Sequence, residues 1–233
     1  MKNYFVTGAD RGLGFSLCKL LLDSGNMVFA GQYMKQWPEL ADLKKKFPDR
    51  LFLIPLDISN IDSVKNAREM TEKITDHLDV LINCAGVDGQ LKDIREGFDY
   101  ERMINVLNIN ALGPVRVIEQ FLNLLSEGER RVWNISSEAG SIGSCWRKNE
   151  EEYCMSKAAL NMAVRILDNL LSERGFEFRL YHPGWMNTYM TGTKETKADL
   201  DPDKAAELLI RNLEMRRKGK LVLEGYDGKV WDW

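Results

Sequence analysis

The chain has 233 residues, 44% of them apolar and 29% charged, with a formal net charge of -3. That length suits one α/β domain (1–233) with a sizeable core, and the near-balanced charge offers no footing for nucleic acid or an anionic membrane. No run of about 18 apolar residues is present to span a bilayer. The opening residues Met1–Val6 lack the apolar stretch of a signal peptide and run straight into a strand. The four cysteines, Cys18, Cys84, Cys145 and Cys154, are scattered, with no CxxC and no metal-ligand spacing. Reduced thiols, no metal site and a cytoplasmic location are expected.

Along the chain, β-prone apolar runs alternate with helical patterns. Strands are expected at Tyr4–Thr7, Met27–Ala30, Leu51–Leu56, Val80–Asn83, Val132–Ser136, Phe178–His182 and Leu221–Leu223. Helices are expected near Phe15–Ser24, Pro38–Phe47, Ile61–His77, Tyr100–Leu125, Tyr153–Arg174 and Pro202–Arg217. Ser59, three residues before Asp62, reads as an N-cap, and Asp201 before Pro202 as another. The rhythm predicts an α/β fold: a single doubly wound parallel sheet of about seven strands, Rossmann-type, with helices on both faces. The least patterned stretches, Gly140–Glu152 and Trp185–Leu200, follow expected strands, where such folds bind ligands.

Two short strings carry the chemistry. Thr7-Gly8-Ala9-Asp10-Arg11-Gly12-Leu13-Gly14 lies between the apolar Tyr4-Phe5-Val6 and the amphipathic Phe15–Leu22. A strand, a glycine turn and a helix start make a dinucleotide pyrophosphate site, because glycine lets the backbone approach phosphate and the helix N-terminus offers free N–H groups. In Tyr153-Cys154-Met155-Ser156-Lys157 a phenol and an ammonium stand four residues apart, on one helix face. A cation beside a phenol favours phenolate; bringing its pKa near neutral takes roughly 3–4 kcal/mol. Asn134-Ile135-Ser136-Ser137 ends a strand that can meet this helix, and a serine hydroxyl there can hold a carbonyl oxygen. Nucleotide site plus acid/base pair points to hydride transfer to or from a carbonyl.

With these strings the chain resembles the short-chain dehydrogenase/reductase family over nearly its whole length. Matching positions are Thr7-Gly8-xxx-Gly12-x-Gly14, Asp57, Asn83-Cys84-Ala85-Gly86, Asn110, Ser137, Tyr153-xxx-Lys157, and Pro183-Gly184 with Thr188. Residues 153–162, His182–Trp185 and the tail Tyr226–Lys229 with Trp231 are similar to C-factor and sniffer-type carbonyl reductases. The resemblance implies that Tyr153 donates a proton to the carbonyl oxygen and Ser137 hydrogen-bonds that oxygen. Lys157 would lower the tyrosine pKa and hold the nicotinamide ribose, and Asn110 would support a water linking Lys157 to solvent. Gly8, Arg11, Gly12, Leu13 and Gly14 would hold the cofactor phosphates. Asp57, Ile58, Asn83, Ala85 and Gly86 would line the adenosine side, and Pro183, Gly184 and Thr188 the nicotinamide end. The chain departs from the family pattern at Cys84, which replaces a second Asn, and in a longer Ser137–Tyr153 interval, where Gly143–Glu152 is expected to bulge beside the pocket.

No acid stands in Ala30–Lys35, where NAD-preferring sites carry a carboxylate for the ribose 2′-OH. Arg11 and Lys35 can jointly meet a 2′-phosphate, so NADP is expected over NAD. Trp146, Trp185, Met186, Tyr189 and Met190 form either an apolar substrate wall or lid packing. His182 reads as a strand-end structural residue, and Trp231-Asp232-Trp233 as packing on the body or a partner subunit. A homodimer or homotetramer is expected on Asn108–Leu125 and Tyr153–Arg174, the second carrying Leu160, Ala163, Val164, Leu167, Leu170 and Leu171 as a stripe. The leading function is carbonyl reduction. Its alternatives are an NAD-linked alcohol dehydrogenase and a nucleotide-sensing or signalling protein, although intact Ser137, Tyr153 and Lys157 argue for chemistry.

Overall fold

A computed structural model describes residues 1–190, 195–217 and 219–233. Its strands are β1 (Asn3–Val6), β2 (Met27–Gln32), β3 (Leu51–Pro55), β4 (Val80–Asn83), β5 (Arg131–Ile135), β6 (Glu177–His182), β7 (Leu223–Gly225) and β8 (Val230–Trp231). Its helices are α1 (Gly12–Asp23), α2 (Glu39–Lys46), α3 (Ile61–Glu72), α4 (Tyr100–Leu107), α5 (Gly113–Ser126), α6 (Glu151–Leu171) and α7 (Pro202–Glu214). They build one sheet of eight strands in the order β3-β2-β1-β4-β5-β6-β7-β8. All neighbours run parallel except β7 and β8.

Each strand alternates between two cores, as a period of two requires. Tyr4 and Val6 join Leu17, Leu21, Leu40, Leu209 and Leu213 on the face covered by α1, α2 and α7. Phe5, between them, joins Val64, Phe121, Leu160 and Val164 on the face covered by α3, α5 and α6. The chain winds outward from β1 to β3, then returns to β4 on the other side of β1. That reversal opens a crevice at the carboxyl ends of β1 and β4, the usual ligand position in a doubly wound sheet.

Several expected boundaries move. The expected helix Tyr100–Leu125 is interrupted by a π turn at Asn108–Leu112. The expected helix from Ile61 ends at Glu72 rather than His77. Its N-cap is Asn60, whose Oδ1 accepts from the amides of Asp62 and Ser63 at 2.9 and 3.2 Å. Ser59 instead donates to Asp57 Oδ1 at 2.6 Å. The last parallel strand starts at Leu223, not Leu221. The eighth strand has no counterpart among the expected strands; Asp227-Gly228 makes the turn of a closing hairpin, with Gly228 at φ +83.

The stripe expected on α6 splits: Leu160, Val164 and Leu171 are buried against the sheet with Leu167 packed partly buried beside them, while Leu170 is exposed. Leu170 joins Met155, Met162 and Ile166 in an exposed row. No helix among the described residues is long and apolar enough to cross a membrane.

Candidate active site

The glycine turn joins β1 to α1. Gly8 has φ +65, and a Cβ there would lie 2.7 Å from Ala85 Cα. A Cβ on Gly14 would lie 2.1 Å from the Gly8 carbonyl oxygen. Only glycine lets the turn fold this tightly. Thr7 fastens it to the next loop, its Oγ1 accepting from the amides of Cys84 and Ala85 at 3.0 Å each. No side chain caps the start of α1, and its first turn carries no acid. Uncapped N–H groups and a positive dipole end suit a pyrophosphate. Leu13 is buried in the core, so only its backbone faces this turn. Gly14→Ala is expected to lower stability by about 1–3 kcal/mol and to abolish dinucleotide binding, checked by thermal melts with and without cofactor.

At the carboxyl end of β5, Ser136 and Ser137 part company. Ser136 Oγ donates to Asn161 Oδ1 at 2.6 Å and is buried, so it ties the strand to α6. Ser137 opens a short turn, Glu138–Gly140, and accepts from the Ala139 amide at 3.1 Å. The phenol of Tyr153 lies beside the Ser137 hydroxyl, and Lys157 Nζ lies 5.6 Å from the centre of the tyrosine ring. Lys157 is buried and donates to the Ile135 carbonyl at 2.9 Å. One helix face and one strand end thus bring Ser137, Tyr153 and Lys157 together.

Their electrostatics differ from expectation. Burial pushes the Tyr153 phenol above its ordinary pKa; the Ser137 hydrogen bond opposes this, and the charges of Asp88 and Glu138 add to it. None of these causes is Lys157. Its ammonium sits over the ring and bonds the main chain rather than the phenol oxygen. Burial also pulls Lys157 down from 10.5 to about 8. A folded-state pKa below the unfolded one means that folding is penalised at every pH below about 8, and that the penalty fades between about 8 and 10.5. Lys157→Met should therefore stabilise the fold at neutral pH by up to about 3 kcal/mol, while removing function. Denaturant melts at pH 7 and pH 10 check the sign: the gain should shrink at the higher pH.

Asn110 lies in the π turn, the kind of helix defect that often marks a functional site. Its Nδ2 donates to the Val87 carbonyl at 2.8 Å and to Ser156 Oγ at 3.0 Å, and its Oδ1 accepts from the Val87 amide at 2.8 Å. Both amide protons are thus committed to protein partners, and the side chain pins α6 to the loop after β4. Gly86 lies in the same place: a Cβ there would be 3.2 Å from Asn110 Oδ1 and 3.7 Å from Lys157 Nζ.

A family profile described as short chain dehydrogenase matches residues 2–199. The chain belongs to the short-chain dehydrogenase family. It is 38% identical over 167 residues to the protein named C-signal of Myxococcus xanthus, covering 70% of this chain and 97% of that one. The NADPH-bound carbonyl reductase from chicken fatty liver superposes with a TM-score of 0.90 at 30% identity, covering 100% of this chain and 99% of that one. The carbonyl reductase Sniffer of D. melanogaster superposes with a TM-score of 0.92 at 26% identity and covers 100% of both chains. The chain is accordingly an oxidoreductase of the short-chain dehydrogenase family.

The remaining expected residues of this dehydrogenase divide. Asp57 makes a local turn, its Oδ1 accepting from the Ser59 amide at 2.9 Å. Ile58 turns away to pack on Gly113, and offers the adenosine side only its backbone. Asn83 points into the sheet, donating to Asn134 Oδ1 at 3.0 Å, so its side chain joins β4 to β5 instead of lining the groove. Pro183 and Gly184 are buried just past β6. Thr188 does reach the groove: its Cγ2 lies 3.4 Å from where a Gly12 Cβ would stand. Residues 191–194 of the expected loop Trp185–Leu200 lie outside the described residues.

Arg11 is no freely solvated turn residue. Its guanidinium lies 5.0 Å from the ring centre of Trp37 and 5.7 Å from that of Tyr189. Asp10 is the residue that sequence reasoning missed. Its carboxylate is buried and accepts from the amides of Tyr33 and Met34 at 3.1 and 2.8 Å. The turn after β2 thus has an acid after all, supplied from the glycine turn. A search confined to Ala30–Lys35 could not find it, because the fold, not the sequence order, places it there.

Proposed function

We propose that this chain reduces small or medium aldehydes and ketones with NADPH. The observation that carries this reading is the meeting of Ser137, Tyr153 and Lys157 at the strand end next to an uncapped glycine-turn helix. A protonated phenol is what a proton donor to a carbonyl oxygen needs. The NADPH-bound carbonyl reductase among the similar structures supports the same reaction and cofactor.

In this reading Gly8, Gly12, Leu13 and Gly14 hold the phosphates through backbone N–H groups, with Arg11 beside them. Asp57, Ile58, Ala85 and Gly86 border the adenosine side, and Lys157, Pro183, Gly184 and Thr188 the nicotinamide end. A nicotinamide held there would supply the hydride. Ser137 and Tyr153 orient the carbonyl oxygen between their hydroxyls, and Tyr153 releases its proton to that oxygen as charge builds there. Lys157 holds positive charge near the phenolate left behind. Purified protein mixed with NADPH and a panel of aldehydes and ketones tests this directly. Consumption of NADPH with at least one carbonyl is expected, and none across the panel would sink the reading.

A second reading, a nucleotide-sensing or signalling protein, draws on the likeness to the protein named C-signal. It would be favoured by cofactor binding without turnover. A homodimer or homotetramer in the cytoplasm is part of our proposal, now resting on the exposed row Met155, Met162, Ile166 and Leu170. Light scattering at micromolar concentration should give a multiple of one chain's mass, and a single chain's mass would refute the assembly.

A further inference from the structure

Arg147, in the longer interval between Ser137 and Tyr153, bridges two carboxylates. Its Nη2 donates to Glu138 Oε1 and its Nη1 to Glu150 Oε2. Glu138 directly follows Ser137, and its other oxygen, Oε2, accepts the Ser137 hydroxyl proton at 2.6 Å. That separation is typical of a charge-assisted bond. Glu150 stands immediately before α6, in the left-handed region at φ +69. The side chains of Glu138, Arg147 and Glu150 are 15%, 20% and 20% exposed, so these ion pairs are screened less than surface pairs.

A serine hydroxyl has one proton to give. In the reductase reading that proton goes to the carbonyl oxygen, and in the structure Glu138 holds it. The two acceptors compete, and the strength of the carboxylate as an acceptor decides between them. An unpaired, sheltered carboxylate would hold the hydroxyl firmly and would set a full negative charge next to the serine that faces the developing oxyanion. A cation on its other oxygen draws off charge and loosens that hold. We propose that Arg147 is a positioning residue acting through Glu138: by pairing with the carboxylate, it leaves the Ser137 hydroxyl able to turn to the carbonyl oxygen. This inference rests on the reductase reading. It gives the longer interval a part in the chemistry as well as in walling the pocket.

Three groups face the Glu138 carboxylate: Ser137, Arg147 and His182. His182 Nδ1, at the end of β6, lies 3.5 Å from Oε2 and has no hydrogen-bond partner among the described residues. Burial holds His182 below its ordinary pKa, so it is neutral at pH 7 and Arg147 is the cation on the carboxylate. Burial also opposes the charge on Glu138, yet the hydrogen bonds from Ser137 and Arg147 outweigh it and keep that carboxyl below its ordinary range.

Arg147→Met leaves the Glu138 charge uncompensated and should lower kcat for carbonyl reduction about tenfold, the worth of one charge-assisted hydrogen bond. Adding Glu138→Gln to that variant should relieve the loss, because the carboxylate that captured the serine proton is gone. Two residues acting through one another are non-additive in this way. Glu138→Gln alone should raise kcat. Its amide oxygen keeps Arg147, its amide nitrogen turns to Ser137, and the serine proton is free for the carbonyl oxygen. Glu150→Gln breaks the bridge to α6 but keeps the pair with Glu138, and should leave kcat as in the wild type.

Carbon-13 NMR of the Glu138 carboxyl, assigned by its absence in Glu138→Gln, reads the pairing without turnover. Its titration should move upward by about one pH unit in Arg147→Met. If the wild type reduces no carbonyl, the reductase reading fails while the titration still decides whether Arg147 compensates Glu138. If Arg147→Met does not fold, the gain in Glu138→Gln and the unchanged kcat of Glu150→Gln decide. An Arg147→Met loss that Glu138→Gln fails to relieve, or an equal loss in Glu150→Gln, would mean that Arg147 only ties the loop to α6, and would overturn the proposal. So would full activity in Arg147→Met or an unmoved Glu138 titration.

Discussion

Tyr153→Phe should lower turnover by roughly 10²–10⁴-fold and leave cofactor affinity within about a factor of two. The phenyl ring keeps the volume and the contact under Lys157, which lies 5.6 Å from the ring centre. What is lost is one hydroxyl and one transferable proton. No neighbour replaces it. The Ser137 proton is engaged by Glu138 at 2.6 Å, and the Lys157 ammonium by the Ile135 carbonyl at 2.9 Å. Ser137→Ala removes the hydroxyl that would turn from Glu138 to the developing oxyanion but keeps the proton donor. Its loss should be smaller, about 2–4 kcal/mol in activation free energy. Steady-state kinetics on a reduced carbonyl, paired with cofactor titrations, check both. A Tyr153→Phe variant that retains more than a few per cent of wild-type kcat would show that Tyr153 is not the acid.

How far the sequence could see depends on whether a feature is local. The glycine turn and the Tyr153–Lys157 pair were legible because each is set by spacing along one chain segment: a turn next to a strand, two side chains on one helix face. β4 was read with its ends correct, since Val80–Asn83 is apolar and bounded on both sides. The π turn at Asn108–Leu112 was not legible. It is selected by the bonds from Asn110 to Val87 and Ser156, partners remote in sequence. Asn83 is expected on the adenosine side, and the pleat points its side chain at Asn134 on the neighbouring strand. Asp10 and Glu138 escaped for one reason. Their partners, the amides after β2 and Arg147 in the extra loop, come together only when separate strand-end loops meet. Stripe reasoning on α6 found apolar residues but not their direction, because Leu160 and Val164 satisfy the sheet while Met162 and Ile166 face outward.

NADPH should bind more tightly than NADH, and Arg11→Ala should weaken NADPH by roughly ten- to a hundredfold while barely touching NADH. A 2′-phosphate is a dianion that a guanidinium grips with charge-assisted hydrogen bonds, worth about 1.5–3 kcal/mol. Arg11 is already placed for this. It directly precedes α1 and lies beside Trp37 and Tyr189, whose rings meet edge-on at 5.2 Å. That stacking restricts the side chain before any ligand arrives, so less freedom is lost on binding. Lys35, which the sequence offered as a second cation, is exposed on the same loop and adds at most a screened contribution. Against both stands Asp10, whose carboxylate occupies the amides of Tyr33 and Met34 where an added phosphate would be welcome. Asp10 should therefore moderate the preference, and Asp10→Asn should widen it by strengthening NADPH relative to NADH. Titrating both cofactors against wild type, Arg11→Ala and Asp10→Asn decides the matter. Equal losses for the two cofactors in Arg11→Ala would reduce Arg11 to a support for the turn, and tighter NADH binding in the wild type would reverse the cofactor assignment.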